Sequence, residues 1–254
     1  MTQPAAELRA LPICGIGEVR HGDSLVSLIL EALAERHTTL SPGDILVIKH
    51  KIVSKAEGRT VCLDSVQPSQ EASAWARENN LDARVVELAL RESKRIVRKQ
   101  NGVLITETRT GLVCANSGVD VSNVDGGKSA VLLPLDPDAS AAELHRELNA
   151  KLGFAVPVII SDSFGRPWRE GLYDVAIGMA GMRPLLDCRG QRDSHGYELH
   201  ASVEAVADEL AAMAGLVCGK LAGTPACIIR GFAFVAGNGS AVELVRPAAR
   251  DLFR

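Results

Sequence analysis

The sequence lacks several features that would assign it to a large class of proteins. It has no run of about eighteen apolar residues, so it predicts no membrane-spanning helix. Its first residues, MTQPAAELRALP, lack the basic start and apolar run of a secretory signal peptide. The formal net charge of -3 gives no reason to expect a surface that binds nucleic acid. These absences favour a cytoplasmic protein that binds neither membranes nor nucleic acids.

Cysteine spacing excludes two further classes. No two of the six cysteines have the C-x-x-C spacing that zinc ribbons and thioredoxin-like proteins use. Several lie in apolar runs, for example Cys227 within ACIIRGF. We therefore interpret the cysteines as buried, reduced thiols rather than as a zinc site or a disulfide framework.

The familiar nucleotide and hydrolase signatures are also missing. Gly126-Gly127-Lys128-Ser129 resembles the end of a P-loop, but Ser122 occupies the position where that motif needs its first glycine. Cys14-Gly15-Ile16-Gly17 continues to Arg20, where a dinucleotide fingerprint needs a third glycine. There is no H-E-x-x-H and no G-x-S-x-G. A triphosphate would therefore require a less common binding site.

What is present is ordinary globular composition, with 254 residues, 46% hydrophobic and 23% charged. This is enough chain for one large domain over residues 1–254, or for two lobes in intimate contact. Helical and strand patterns mix without a regular βαβ rhythm. The fold class predicted is α+β, with antiparallel strands prominent and helices packed against them.

Capping residues mark the predicted helices. The first helix follows Asp23-Ser24, the second opens at Pro68-Ser69 and runs through Trp75, and the third follows Asp82. The fourth begins with a capping box at Ser140–Glu143 and ends near Gly153. The fifth covers Ser202–Gly219.

Short apolar runs bounded by turn residues mark the predicted strands. They cover Ile45–Ile48 after the turn 41–44, Gly102–Thr106 and Leu112–Ala115 around the turn 108–111, Val156–Ser161, and Ala226–Phe232. Pro157 places the fourth of these at a sheet edge or makes the proline its first residue.

Three polar segments follow apolar strands and hold the candidate chemistry: Lys51–Arg59, Cys114–Val124 and Ser161–Gly171. Asp120 and Asp162 each stand where a strand is predicted to pass into a loop, and Ser163 adds a hydroxyl. These oxygen donors suit a hard divalent cation. Lys55 suits a phosphate as a point charge, and Asn123 suits a sugar, base or phosphate in the same loop. Together they predict a metal–triphosphate site.

A structural role is the alternative for each of these residues. A lone aspartate at a strand end is more often a turn or cap residue, because its side chain bonds nearby backbone groups. Lys55 and Arg59 would then be solvated charges, and Trp168 would be a core residue. Spacing alone does not identify an acceptor substrate.

Longer stretches of the sequence resemble one family. VSKAEGR, ANSGVDVSNV and SDSFGRPWREG, followed by VAIGMAGM and VADELAAMAGLVCGK, are similar to the coenzyme F420:L-glutamate ligases (gamma-glutamyl ligases). The resemblance runs from about Leu11 to Val235, with the motifs in order. The length fits the single-domain members and leaves no room for the nitroreductase-like domain of the fused ones.

The resemblance implies a reaction and an assembly. The lactyl carboxylate of coenzyme F420-0 would take the terminal phosphoryl group of GTP, and the amine of L-glutamate would displace phosphate from that acyl phosphate. Further rounds would add γ-linked glutamates. Mg²⁺ or Mn²⁺ would take part, with K⁺ as a helper. The family fold is an α+β arrangement of its own, in an intertwined homodimer.

The resemblance also implies residue roles. Asp120, Asp162 and Ser163 match metal ligands, and no residue is matched to proton transfer. The matched nucleotide-binding positions are Ile16, Gly17, Glu18, Val19, His50, Lys51, Lys55, Asn123, Cys218, Gly219, Lys220, Leu221, Ala222, Gly223 and Thr224.

Three departures from the family pattern affect these expectations. Lys220 stands where a Glu or Gln often serves a second metal, so either that metal is absent or Lys220 itself neutralises phosphate. Ile16-Gly17 replaces the usual Leu-Pro, and His50-Lys51 stands where Ser or Thr is common. Two other functions stay open: a metal-dependent nucleotide phosphohydrolase, and a non-catalytic module that binds a deazaflavin or nucleotide.

Overall fold

The structure is a computed structural model that describes residues 7–122 and 125–252. Its strands, numbered along the chain, are β1 (Arg9–Ile13), β2 (Ile45–Lys49), β3 (Thr60–Cys62), β4 (Ser93–Gln100), β5 (Val103–Thr108), β6 (Val113–Ala115), β7 (Ser129–Val131), β8 (Val158–Arg166), β9 (Arg169–Ala180), β10 (Leu186–Asp187), β11 (Val203–Glu204) and β12 (Ala226–Arg230). Its α-helices are α1 (Leu25–Glu35), α2 (His50–Ala56), α3 (Gln70–Asn79), α4 (Ala83–Glu92), α5 (Pro137–Leu152) and α6 (Val206–Cys218).

A five-stranded sheet with the order β1-β12-β2-β8-β9 forms the centre of the molecule. Its neighbours are antiparallel except for β2 and β8, which are parallel. Successive residues of β2 point to opposite faces. Leu46 and Ile48 therefore join the core that α1 and α5 cover, while Ile45 and Val47 join the core under α6. Burial on both faces explains why this strand is a continuous apolar run.

Smaller antiparallel sheets lie outside the central sheet. Strands β4, β5 and β6 form one, and β3 pairs with β7 in another. Two further apolar clusters accompany them, and these include residues of α3 and α4. Helices packed against mixed and mainly antiparallel sheets confirm the predicted α+β class.

The capping residues in the sequence predicted several helix starts correctly. The side chains of Ser24, Ser69 and Asp82 accept hydrogen bonds from Ser27 N, Ala72 N and Arg84 N, so α1, α3 and α4 begin where predicted. Gly153 ends α5 with a φ of 76°, a left-handed conformation that glycine adopts readily. The α3 helix continues past Trp75 to Asn79.

Two predicted helix starts were wrong. The Ser140–Glu143 segment is not a capping box, because α5 begins at Pro137 with Asp136 as its N-cap. Proline at a first helical position needs no hydrogen-bond acceptor for a backbone N–H, which favours the earlier start. Ser202–Gly219 is not all helix either, because Val203 pairs with Asp187 in a short strand and α6 begins at Val206.

Pro157 precedes β8, and β8 lies between β2 and β9. The proline therefore marks a strand start, one of the two predicted options, and not a sheet edge. Its carbonyl accepts a bond from Leu46 N at 2.9 Å, so the residue still takes part in the pairing with β2.

The cysteines, all of which fall in the described residues, are free thiols. Cys114, Cys218 and Cys227 are buried as predicted, but Cys62 is exposed at the end of a short edge strand. No helix in residues 7–122 and 125–252 has the length and apolar character needed to cross a bilayer.

A glycine allows α5 to approach the sheet closely. A Cβ built on Gly178 of β9 would lie 2.3 Å from the carbonyl oxygen of Pro137, in the first turn of α5. The same turn is held by Asp138, whose carboxylate accepts bonds from Met179 N and Ala241 N. The contact therefore joins the helix, β9 and the C-terminal segment.

We expect Gly178→Ala to destabilise the fold by about 1–3 kcal/mol, because the added methyl must displace backbone rather than a flexible side chain. The free energy of unfolding, measured in denaturant, tests this. Gly165→Ala in β8 is the matched control, since its Cβ would approach only Leu172, at 4.0 Å. Equal stabilities of the two variants would contradict the close approach.

Candidate functional site

A cavity of about 450 Å³ opens at one edge of the central sheet. Strands β2 and β8 are parallel, with Lys49 opposite Ser161, so their C-terminal ends lie at the same edge. Strand β12 runs the opposite way, so the residues that precede it reach that edge as well, and Lys49 N donates to Pro225 O at 2.8 Å. The ends of parallel strands are a common place for ligand sites in sheets of this kind.

Most of the residues selected from sequence line this one cavity. They are Ile16, Gly17, Glu18, Val19, His50, Lys51, Lys55, Asp120, Asp162, Ser163, Gly219, Lys220, Leu221, Gly223 and Thr224. Five separate parts of the chain contribute them, as expected if those motifs serve one function.

Three selected residues are not among the lining residues. Cys218 is buried at the end of α6, with its thiol directed at Ala226 O at 3.7 Å. Ala222 contributes a carbonyl that accepts a 3.3 Å bond from Thr224 Oγ1. Asn123 lies outside the described residues.

Sequence reasoning missed Lys49, Ile52 and Pro225, which also line the cavity. The sequence held a signal for Lys49, because this lysine ends the apolar strand ILVIK. It therefore places a charge at the same end of the sheet as the other candidates. The sequence reasoning also missed Asp174 on β9. The buried carboxylate of Asp174 forms an ion pair with Lys49 and accepts a 2.6 Å bond from Ser163 Oγ.

Asp162 and Ser163 lie within β8 rather than where a strand passes into a loop, which corrects one expectation. Asp162 pairs with Val175, and a register shift occurs just before it, between Ile160 and Ser161. The backbone N–H of Ser163 donates to Asp162 Oδ1 at 2.7 Å. Burial, and then the charge of Asp162, raise the pKa of the nearby Cys114 thiol to about 12. The pairing with Val175 and the bond from Ser163 N hold Asp162 on a rigid, hydrogen-bonded strand.

Asp120 is held by a lysine. Its carboxylate lies 2.8 Å from Lys51 Nζ and accepts a 2.6 Å bond from Ser122 N, while its backbone bridges to Val131. Burial tends to raise the pKa of Asp120, but the hydrogen bonds from Lys51 and Ser122 outweigh it and keep that pKa below the ordinary value. The carboxylate is therefore ionised at neutral pH.

Lys55 and Glu18 form a second pair at the cavity wall, 2.6 Å apart. The lysine side chain is 13% exposed, whereas the glutamate side chain is 72% exposed. An exposed partner of this kind contributes little stability, so Lys55 can exchange it for an anionic ligand at small cost.

His50 is the first residue of α2 and is buried. Its Nδ1 lies 3.3 Å from Ser54 Oγ, one turn later in the same helix. Its Nε2 lies 3.3 Å from Asp162 Oδ1, but without hydrogen-bond geometry, so this nitrogen has no hydrogen-bond partner among the described residues.

The donor atoms around the cavity fit a hard divalent cation in composition. Asp120 and Asp162 supply carboxylates and Ser163 a hydroxyl, which are ligands that Mg²⁺ and Mn²⁺ accept. No three His, Cys, Asp or Glu side chains of the described residues converge closely enough to hold a metal by themselves. Such a cation would complete its coordination with water and substrate phosphate, as Mg²⁺ usually does.

Known proteins from one family are similar to this chain. A family model described as F420-0:gamma-glutamyl ligase matches residues 15–231. A coenzyme F420:L-glutamate ligase of Methanothermobacter thermautotrophicus is 46% identical over 243 residues, which cover 94% of this chain and 96% of the relative. One from Methanopyrus kandleri is 45% identical over 252 residues, covering 97% and 98%. One from Archaeoglobus fulgidus is 38% identical over 248 residues, covering 97% and 96%.

The cations of the cavity influence one another, which gives a test that does not depend on function. Burial lowers the pKa of Lys49, and the nearby charge of Lys220 lowers it further, whereas Cys218 and Asp162 act to raise it. We expect Lys220→Gln to raise the pKa of Lys49, measured by NMR titration of the lysine side chains. Lys151→Gln on α5, which lies outside the cavity lining, should leave it unchanged. An unaltered Lys49 titration in Lys220→Gln would refute the coupling.

Proposed function

This chain belongs to the F420-0:gamma-glutamyl ligase family, and we propose that it ligates L-glutamate to coenzyme F420-0 with hydrolysis of GTP, in the biosynthesis of coenzyme F420. The observation that carries the proposal is the convergence of five separate parts of the chain on one cavity lined by both cations and carboxylates. A volume of about 450 Å³ lies within the usual range of about 300–1,000 Å³ for small-molecule sites.

The proposed chemistry makes a carboxylate reactive before the amide forms. A carboxylate oxygen of coenzyme F420-0 attacks the terminal phosphorus of GTP, forming an acyl phosphate and releasing GDP. The amine of L-glutamate then attacks the acyl carbon, the C–O bond to phosphate breaks, and the amine loses a proton. The products are an amide, GDP and phosphate, and repetition adds further γ-linked glutamates.

Lysines of the cavity support the phosphoryl-transfer half of this proposal. Lys49, Lys51, Lys55 and Lys220 all line it. Phosphoryl transfer depends mainly on positioning and on neutralising phosphate charge, which ammonium groups supply as point charges. Lys51 and Lys55 are held by Asp120 and Glu18, so phosphate oxygens would compete with those carboxylates for the same cations.

Asp120, Asp162 and Ser163 would hold Mg²⁺ or Mn²⁺, and K⁺ would assist as a further cation. The divalent ion, when bound, would neutralise phosphate charge and help to orient the terminal phosphoryl group. The carboxylates are suited to this because Asp162 lies on a rigid strand and Asp120 is held ionised by Lys51 and Ser122. Lys220 would neutralise phosphate in place of a second divalent ion.

The decisive experiment follows the products of coenzyme F420-0, GTP and L-glutamate with Mg²⁺ or Mn²⁺. We expect mass spectrometry to detect glutamylated coenzyme, with GDP and phosphate released in equal amounts. Phosphate release that does not depend on glutamate would indicate the phosphohydrolase instead. Binding without any turnover would indicate the non-catalytic module.

We expect Asp120→Asn and Asp162→Asn each to lower the ligation rate by at least about a hundredfold, more than is usual for groups that only surround metal ligands. Each change keeps the side-chain shape and removes charge, so the melting temperature should change little. Asp64→Asn is the matched control, because that side chain is 85% exposed and pairs with Arg84. Normal turnover in both cavity variants would exclude their proposed role.

We further propose that the chain forms a homodimer, which rests on the family resemblance. Large apolar side chains that stay exposed in one copy are consistent with this, among them Trp168, Leu172, Leu216 and Leu221. Closed two-fold pairing is also the commonest form of oligomer.

Sedimentation equilibrium should therefore give a mass twice that of the 27.0 kDa chain at micromolar concentration. Contacts between apolar surfaces weaken little with ionic strength, so the dimer should persist in high salt. A species of 27.0 kDa alone would disprove the assembly.

A further inference from the structure

We propose that Nε2 of His50 is itself a metal ligand in this chain, beside Asp162, and that it shifts the preference of the site from Mg²⁺ toward Mn²⁺. The inference deepens the proposed function, on which it rests for the presence of a divalent ion. It assigns to the metal a residue that the family resemblance placed only among the nucleotide contacts.

The first observation is the lack of a hydrogen bond at a buried polar atom. The side chain of His50 is 2% exposed, and Nε2 has no hydrogen-bond partner in the part of the chain that the structure describes. A buried polar group without a partner destabilises the fold, so this nitrogen favours a ligand. His50 lines the cavity, and its Nε2 faces Asp162, which lines the same cavity.

The second observation is what this nitrogen faces. Asp162 Oδ1 lies 3.3 Å away, outside hydrogen-bond geometry. Two donors that each bind one octahedral ion at about 2.1 Å are about 3 Å apart when they are neighbours. A shared cation thus fits the separation of these two atoms.

The third observation concerns the other ring nitrogen. Nδ1 lies 3.3 Å from the hydroxyl of the buried Ser54. With Nδ1–H donating to Ser54 Oγ, Nε2 carries its lone pair toward Asp162. In that tautomer the lone pair and the carboxylate oxygen repel each other, and a metal cation bound by both would remove the repulsion. Histidine ligands usually donate their second ring N–H to a polar partner in this way.

The position in the chain holds the ring in place. His50 follows β2 directly and is the first residue of α2, and Asp162 lies on the adjacent parallel strand. Ligands on rigid elements hold their geometry better than ligands on loops. Imidazole nitrogen binds transition metals more strongly than it binds Mg²⁺, so this residue would change which ion the site selects.

Electron spin echo spectroscopy of the protein with Mn²⁺ alone tests the assignment. We expect nitrogen modulation from a directly bound imidazole, and its conversion to the ¹⁵N pattern when histidine is ¹⁵N-labelled. Bound Mn²⁺ without nitrogen coupling, or no bound Mn²⁺ at all, would overturn the proposal. The wild-type protein alone gives this answer, so it does not depend on the folding of a variant.

The His50→Gln variant then identifies which histidine is the ligand. We expect it to lose the nitrogen coupling and to bind Mn²⁺ at least about tenfold more weakly by calorimetry, with a smaller loss for Mg²⁺. His195→Gln, on an exposed loop, is the matched control and should keep the wild-type spectrum. Retention of the coupling in His50→Gln would reject His50 as the ligand.

Neither measurement involves turnover, which separates the two proposals. A protein that forms no glutamylated product but binds Mn²⁺ through His50 would leave this inference standing and refute the proposed function. A protein that ligates glutamate while its Mn²⁺ shows no nitrogen coupling would do the reverse.

Discussion

The parallel pairing of β2 with β8 places the two strand ends around which the cavity is built. Among the described residues it is the one parallel contact of the central sheet, and it brings Lys49 opposite Ser161. Asp162 and Ser163 therefore continue past the end of β2, beside the first turn of α2. The antiparallel strand β12 adds the segment before Ala226 to the same edge. This pairing therefore brings the start of α2 and the residues Asp162 and Ser163, far apart along the chain, to one cavity.

The charges at this edge are arranged as separate pairs. Lys49 pairs with Asp174, Lys51 with Asp120, and Lys55 with Glu18. The first pair is well buried, and its carboxylate also accepts a bond from Ser163, which suits a structural role. The pairs at Lys51 and Lys55 are more accessible on at least one side. An incoming polyphosphate would thus meet cations that are held in place yet able to change partners.

Local sequence signals made much of the fold predictable. Contacts between residues far apart along the chain could not be predicted in this way. Ser24, Ser69 and Asp82 each bond a backbone N–H two or three residues away, so their effect is visible in a short stretch of sequence. The Lys49–Asp174 pair joins residues of two non-adjacent strands, and no local pattern encodes it. The placement of Asp162 inside a strand likewise depends on the long β8–β9 hairpin and its register shift. The candidate residues came from motif and resemblance, but their contacts came only from topology.

The direct passage from β2 into α2 has a consequence for how this part of the chain can vary. Lys49, His50 and Lys51 are consecutive, yet they contact Asp174, Asp162 and Asp120 in three different segments. An inserted residue would turn the following helix by about 100° and advance it by about 1.5 Å. All the contacts beyond the insertion would then be lost together. Sequence variation at this junction is therefore confined to substitutions that keep the chain length constant. Each such substitution changes the contact of one residue and leaves the other two in place.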